Sequence, residues 1–128
     1  MGKPRKKILI IEDDTVLQEM YSDRLKKEGF EVITASEGET GTQKAMGEHP
    51  DLILLDLLLP KKGGLGVLEV LKSWPKTSGI PVIVLTALVN EDYQKKAMRL
   101  GAVAHIIKPQ TMPGQVVAKI KEVLGLNK

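Results

Sequence analysis

The chain has 128 residues, 42% of them hydrophobic and 27% charged, with a net charge of +3 and no cysteine. This balance predicts one globular domain over residues 1–128 and excludes a disordered chain or a disulfide-stapled scaffold. No apolar run is long enough for a membrane span or a secretory leader, so we expect a cytoplasmic protein. The positive charge concentrates in a basic tail, residues 1–7, and only 3% of residues are aromatic, so we expect no direct nucleic-acid binding.

Short apolar runs alternate with stretches of helical period along the whole chain. Each run is rich in Val, Ile or Leu and predicts a buried strand. The predicted strands are Ile8–Ile11, Glu31–Ala35, Leu52–Leu55, Pro81–Leu85 and Val103–Ile107. The predicted helices are Thr15–Glu28, about Gly38–Gly47, Leu65–Trp74, about Asn90–Leu100 and about Met112–Leu124. In the second helix, Gly41 is expected to make the first turn irregular.

The strict alternation of strand and helix predicts the class of fold. Fully apolar strands separated by helices indicate an α/β protein with a doubly wound parallel sheet, covered by helices on both faces. We expect five strands in the order 2-1-3-4-5, which flavodoxin-like folds share. The chain ends four residues past Leu124, so no output domain is expected.

Polar residues stand at the carboxyl ends of four predicted strands, the edge where open parallel sheets bind ligands. They are Glu12, Asp13, Asp14, Asp56, Thr86 and Lys108. Clustered carboxylates stay ionised together only beside a cation, and an all-oxygen site with room for water suits Mg²⁺. A lysine ammonium and a threonine hydroxyl would complete a pocket for a phosphoryl group.

Each of these residues also has a simpler explanation. Asp13, Asp14 or Thr15 can serve as the cap of the first helix, although a cap does not require three acids. Taken alone, Thr86 is typical of a strand and Lys108 of a solvated surface. Only their combination favours a functional site.

Several segments together resemble the successive signatures of response-regulator receiver domains. They are ILIIEDD, PDLILLD followed by LLLP and GG, IPVIVLTA, and GAVAHIIKP, in this order and at fitting separations. The resemblance covers nearly the whole chain, and the combination is highly specific. It implies a phosphoryl-accepting receiver of a two-component phosphorelay, which acts chemically only on its own phosphoryl group and is therefore not an enzyme.

The resemblance also implies roles for the acids. Asp56 is expected to accept the phosphoryl group. Asp13, with Glu12 directly or through water, is expected to hold Mg²⁺ together with Asp56 and the backbone carbonyl of Leu58. Asp13 and Asp14 form an alternative metal pair, although the apolar run ending before Glu12 favours Glu12 and Asp13.

Further roles follow from the same resemblance. Thr86 is expected to hydrogen-bond the phosphoryl oxygen in the activated state and so to act in the switch, while Lys108 pairs with the same group. Pro60 and Gly64 match positions that shape the loop after the acceptor. His105 replaces the usual Tyr or Phe of the switch, so we expect a weaker or differently timed output, unless it is simply a half-exposed strand residue.

The resemblance implies two kinds of protein partner. A sensor histidine kinase or phosphotransfer protein would dock at the first helix, and a downstream protein would bind the face formed by the fourth helix, fifth strand and fifth helix. A phosphorylation-independent interaction module is the alternative, motivated by His105 and by Gln110, which replaces a common Phe. A phosphatase of the haloacid dehalogenase type is excluded because Glu12 would occupy its nucleophile position.

Two leucines are expected to set how long the phosphoryl group survives. By resemblance, Leu58 and Leu88 flank the acyl phosphate at positions where polar side chains can orient the attacking water. Because leucine cannot orient water, we expect a long-lived phosphorylated state.

Overall fold

Strands and helices alternate through the part of the chain described by the structure, a computed structural model: residues 5–57, 63–86, 91–107 and 113–126, without the side chains of Thr86 and Pro113. The strands are β1 (Lys7–Ile11), β2 (Glu31–Ala35), β3 (Leu52–Asp56), β4 (Val82–Thr86) and β5 (Ala104–Ile107). The helices are α1 (Thr15–Lys27), α2 (Gly38–Glu48), α3 (Gly64–Ser73), α4 (Glu91–Arg99) and α5 (Pro113–Val123). Within these ranges no helix is long and apolar enough to span a bilayer.

The strands form one parallel sheet in the order β2-β1-β3-β4-β5, which confirms the predicted fold. Successive side chains of a strand point to opposite faces, so each strand serves two apolar layers. In β1, Leu9 and Ile11 belong to the layer beneath α2, α3 and α4, whereas Ile8 and Ile10 belong to the layer beneath α1 and α5. Burial on both faces explains why these strands are continuous apolar runs.

Helix α2 is continuous over Gly38–Glu48, so the expected irregularity of its first turn is wrong. Gly41 faces β1, where a Cβ atom would lie only 2.5 Å from Cδ1 of the fully buried Ile11. A side chain at this position would have to displace the buried side chain of Ile11, so glycine lets α2 pack closely against β1.

Helix α4 is seated more shallowly than the other elements. Ala97 is its only buried residue among those the structure describes. Cavities of about 450 Å³ lie on either side of the helix. One is lined by Met98 and by His105 of β5, and the other by Lys96 and by Leu65 of α3. Among the described residues of α4, Ala97 is therefore the one that belongs to the core.

Candidate functional site

Three carboxylates meet at the carboxyl ends of β1 and β3. One oxygen each from Glu12, Asp13 and Asp56 lies within 4.8 Å of the other two. Glu12 and Asp56 are buried, with 0% and 2% of their surface exposed, whereas Asp13 is exposed. The sheet register explains the meeting, because Ile11 of β1 pairs with Leu55 of β3 and an acid follows each of them. The structure thus brings together the predicted acids of two neighbouring strands.

Glu12 is held through its backbone and its side chain. Its N–H donates to the carbonyl oxygen of Ala35 at 3.0 Å, and its own carbonyl accepts from Nε2 of Gln18 at 2.8 Å. Its carboxylate oxygen Oε2 accepts the N–H of Asp14 at 3.2 Å. A buried carboxylate is costly unless it is hydrogen-bonded, so these contacts stabilise Glu12 in its buried position.

Asp14 has a different role from the acids beside it. It is the N-cap of α1, and its Oδ1 accepts the N–H groups of Val16 at 3.0 Å and Leu17 at 3.1 Å. These bonds satisfy backbone donors that have no partner within the helix. The structure therefore groups Asp13, and not Asp14, with Glu12 and Asp56.

Asp56 is the last residue of β3 rather than the first residue after it. It pairs with Leu85 of β4, and the N–H of Leu57 continues the ladder by donating to the Leu85 carbonyl at 2.9 Å. The chain returns at Gly64, whose N–H donates to the Leu57 carbonyl at 2.9 Å. A Cβ atom on Gly64 would lie 2.5 Å from the Asp56 carbonyl oxygen and 2.3 Å from Cα of Leu57. Only glycine fits against the backbone that carries Asp56.

Several predicted site residues are described in part or not at all. Thr86 is the last residue of β4, opposite Ile107 of β5, and its side chain is not described. Five residues with predicted roles lie outside the described ranges: Leu58, Pro60, Leu88, Lys108 and Gln110. The roles expected for them stay predictions.

His105 lies in β5 with its side chain exposed. It lines the cavity of about 450 Å³ between β5 and α4, together with Gln94, Met98 and Arg99 of that helix. The imidazole therefore faces the surface of α4 and is not part of the core. Its expected part in switching stays a prediction.

The carboxylate cluster fits a small, hard cation. Carboxylate oxygens are ligands that Mg²⁺ prefers, and at a ligand distance of about 2.1 Å two opposing oxygens are roughly 4.2 Å apart. The three oxygens lie within 4.8 Å of one another, a separation compatible with ligands around one small cation. Two of its members are buried, where neighbouring negative charges are costly without a counter-charge. Glu12, Asp13 and Asp56 can therefore hold a divalent cation.

Sequence reasoning missed two polar residues beside this cluster. Nε2 of Gln18 lies 2.8 Å from the carbonyl oxygen of Glu12, 3.3 Å from that of Ala35 and 3.3 Å from Oγ of Ser36. The only signal in the sequence is that Gln18 stands about one helical turn beyond the acids. Its bonds depend on β2 lying beside β1, which periodicity does not reveal.

Comparison with known proteins identifies the family. The sequence profile of the response regulator receiver domain matches residues 8–121. The chain belongs to this family. Receiver domains are components of two-component systems, and the strand order and acidic cluster described above are those of a receiver.

The receiver is similar to about half the length of several transcriptional regulators. It is 37% identical over 119 residues to the alkaline phosphatase synthesis transcriptional regulatory protein PhoP of Bacillus subtilis (strain 168), covering 93% of this chain and 48% of that protein. It is 35% identical over 119 residues to the phosphate regulon transcriptional regulatory protein PhoB of Klebsiella pneumoniae, covering 93% and 52%. The chain thus spans about half the length of the curated relatives it matches.

Solved receiver structures match almost end to end. A CheY-like receiver domain protein of Methanospirillum hungatei JF-1 superimposes with a TM-score of 0.89 at 32% identity, with 95% of each chain covered. The phosphorylated cyanobacterial phytochrome response regulator RcpA gives a TM-score of 0.82 at 32% identity, with 94% of each chain covered. The fold of this receiver is therefore shared along its whole length.

Proposed function

We propose that this receiver is phosphorylated on Asp56 in a Mg²⁺-dependent reaction and carries a signal in a two-component phosphorelay. The supporting observation is the convergence of Glu12 and Asp13 on the buried carboxylate of Asp56. Family membership supports the same reaction, since one of the matching structures is of a phosphorylated response regulator. Asp56 is the acceptor in this proposal because it lies in the strand facing the acids of β1.

The chemistry is a displacement at phosphorus. A carboxylate oxygen of Asp56 attacks the phosphorus atom, forming an O–P bond. The bond from phosphorus to the donor's nitrogen or oxygen breaks, and its electron pair stays with the donor. Glu12, Asp13 and Asp56, with the expected Leu58 carbonyl, would hold Mg²⁺, which would supply positive charge to neutralise the phosphoryl oxygens. Thr86 donates a hydrogen bond and Lys108 an ion pair to the same oxygens.

The physiological donor is a sensor histidine kinase or a phosphotransfer protein that docks beside α1. The chain turns over no other substrate, so it is a switch and not an enzyme. The output passes through α4, β5 and α5 to a downstream protein, and His105 lies on that surface. We propose that it acts in the cytoplasm, and the transcriptional regulators among its curated relatives support this.

Intact-mass analysis after treatment with acetyl phosphate and Mg²⁺ tests this proposal. We expect one added phosphoryl group on the wild-type chain and none when the metal is chelated. Asp56→Asn keeps the size of the side chain but removes the nucleophilic oxygen pair, so it should stay unlabelled. Asp14→Asn is the matched control, because it removes an acid from the same turn and preserves the helix cap.

Labelling of Asp56→Asn at the wild-type level would contradict the assignment of the acceptor. A wild-type chain that takes up no phosphoryl group from acetyl phosphate or from a kinase would favour the alternative function, an interaction module that works without phosphorylation.

A further inference from the structure

Gln18 joins three parts of the backbone beside the carboxylate cluster. It lies in the second turn of α1 and is half-buried. Its Nε2 donates to the carbonyl of Glu12 at the end of β1, and also faces the carbonyl of Ala35 and the hydroxyl of Ser36 at the end of β2. All three groups accept hydrogen bonds, which fixes the orientation of the side-chain amide.

The bond from Gln18 means that both backbone polar groups of Glu12, its N–H and its C=O, have hydrogen-bond partners. The N–H of Glu12 is already held by the Ala35 carbonyl at 3.0 Å, and Gln18 holds its C=O at 2.8 Å. That carbonyl belongs to the peptide that joins Glu12 to Asp13. The plane of this peptide determines the direction in which the chain enters Asp13.

Asp13 depends on its backbone more than the other acids of the cluster do. Glu12 and Asp56 are buried and surrounded by the core, whereas Asp13 is exposed and gains little from packing. An exposed side chain can place its carboxylate near the cluster for most of the time only if its backbone is fixed. Gln18 supplies that fixation from the adjacent helix.

We propose that Gln18 is a positioning residue, which holds the Glu12–Asp13 peptide and thereby raises the affinity of the carboxylate cluster for Mg²⁺. This inference rests on the proposed function only in taking the cluster to be a cation site. Partners that orient metal ligands typically change affinity by about 10- to 100-fold when mutated. Because Gln18 acts on the backbone and not on a ligand atom, we expect the lower end, roughly tenfold.

Mg²⁺ titration without a phosphoryl donor, followed by the backbone amide NMR shift of Asp13, measures this affinity. Gln18→Met keeps the length of the side chain but removes both donors, and should raise the half-saturating Mg²⁺ concentration about tenfold. Gln18→Asn keeps the amide but shortens the side chain, and should cause a similar loss. Without metal, the amide of Asp14, which is bonded to the Glu12 carboxylate, should exchange faster with solvent in both variants.

Lys44→Met is the matched control. Nζ of Lys44 donates to the carbonyl of Thr34, one residue before Ala35, so this variant loses a similar side-chain tether to β2 without affecting Glu12. Removing a cation does not weaken Mg²⁺ binding electrostatically, so any loss of affinity in this variant would come from the lost tether to β2. We expect its half-saturating Mg²⁺ concentration to be no higher than that of the wild type.

Two results would overturn the proposal: wild-type affinity in Gln18→Met or Gln18→Asn, or an equal loss of affinity in Lys44→Met. These results are separable from a failure of the proposed function. A wild-type chain that binds Mg²⁺ but takes up no phosphoryl group would refute the phosphorelay role and leave the role of Gln18 intact. A wild-type chain that is labelled while Gln18→Met binds Mg²⁺ normally would refute the role of Gln18 alone.

Discussion

Asp13 and Asp14 are neighbours in the chain but have different contacts. Asp13 contributes to the carboxylate cluster, and Asp14 accepts two backbone N–H groups at the start of α1. Because the helix uses Asp14 locally, its carboxylate is directed to the backbone and not to the other acids. Adjacent residues of one type can thus divide binding and capping between them.

This division predicts opposite effects for two substitutions. Asp13→Ala should weaken Mg²⁺ binding at least about tenfold, since even the partners of metal ligands contribute that much, and should leave stability without metal nearly unchanged. Asp14→Ala should keep the Mg²⁺ affinity and lower the free energy of unfolding by about 1 kcal/mol through loss of the cap. Calorimetric Mg²⁺ titration and urea unfolding measure the two effects. If Asp14→Ala lost metal and Asp13→Ala did not, the two roles would have to be exchanged.

Two adjacent glycines offer a second comparison at the level of single residues. Gly64 touches the backbone of Asp56 and Leu57, so Gly64→Ala should shift that backbone, destabilise the fold by about 3 kcal/mol and slow phosphorylation by acetyl phosphate strongly. Gly63 has φ +75° and open space around it, so Gly63→Ala should cost only about 1–2 kcal/mol of backbone strain.

Urea unfolding and the labelling rate are measured on both variants. Together they distinguish the backbone strain of Gly63→Ala from the steric clash of Gly64→Ala with the Asp56 backbone. Gly63→Ala is the control for the rate, because its strain does not reach the Asp56 carbonyl. Equal labelling rates in the two variants would mean that the contact between Gly64 and Asp56 does not position the acceptor.

At the level of elements, α1 and α5 are joined by a small charged network. The carboxylate of Glu28, at the end of α1, forms two ion pairs. Lys121 Nζ of α5 lies 3.0 Å from Oε1, and Arg24 Nε of α1 lies 3.3 Å from Oε2. The hydrogen bond and the charge of Lys121 lower the pKa of Glu28 below its ordinary value of 4.5. The Glu28 carboxyl group therefore loses its proton at a lower pH in the folded chain than in the unfolded chain. Its ion pairs stabilise the fold fully above pH 4.5, and this stabilisation is lost as the pH falls through the folded pKa.

Lys121→Met should lower the urea midpoint slightly at neutral pH, because the pair is exposed to solvent. The difference from the wild type should shrink once the pH falls below 4.5, and also at high salt, which screens the charges. Lys119→Met is the control, since Lys119 pairs at 3.4 Å with Glu122 of its own helix and does not join α5 to α1. A difference that stayed constant down to low pH would show that Lys121 stabilises by packing and not through the Glu28 carboxylate.

For the whole molecule, the carboxylate cluster links metal binding to folding. An unfolded chain does not hold three carboxylates within 4.8 Å, so a Mg²⁺ ion held by the cluster would bind the folded state preferentially. At a concentration about 100 times its dissociation constant, Mg²⁺ should raise the free energy of unfolding by about 2.7 kcal/mol. Thermal unfolding should show a Tm higher by several degrees for the wild type and little change for Asp13→Ala. If KCl at the same ionic strength raised the Tm equally, the effect would be general screening of charges. The cluster would then not be a specific Mg²⁺ site.

The strands and helices could be predicted from the sequence because their signals are local. A parallel strand covered on both faces must be a continuous apolar run, and β2 was predicted with both of its observed ends. The end of α3 was set by Pro75, since the residue before a proline avoids helical backbone, and Trp74 is extended with φ −100° and ψ 132°. The convergence of Asp13 with Asp56 followed from the predicted strand order.

The contacts between elements could not be predicted in this way. From the sequence, Gly41 was expected to make the first turn of α2 irregular. Its close packing against Ile11 could not be predicted, because that contact forms only when the helix lies on β1.

The end of the apolar run favoured Glu12 and Asp13 as the metal pair. Which of Asp13, Asp14 and Thr15 caps α1 stayed open, because all three residue types are common caps. Gln18 was overlooked, since its acceptors come from two strands that are distant in sequence.

Because little of α4 is buried, the fold constrains few positions of its sequence. With Ala97 as the buried contact, exposed positions such as Lys95 and Met98 can be exchanged at a cost within about 0.5 kcal/mol each. After gene duplication, each copy can therefore alter this helix while the residues of the carboxylate cluster stay the same. The same tolerance makes α4 suitable for engineering a new protein-binding surface. Ala97 would be kept, and the exposed residues around it would be substituted.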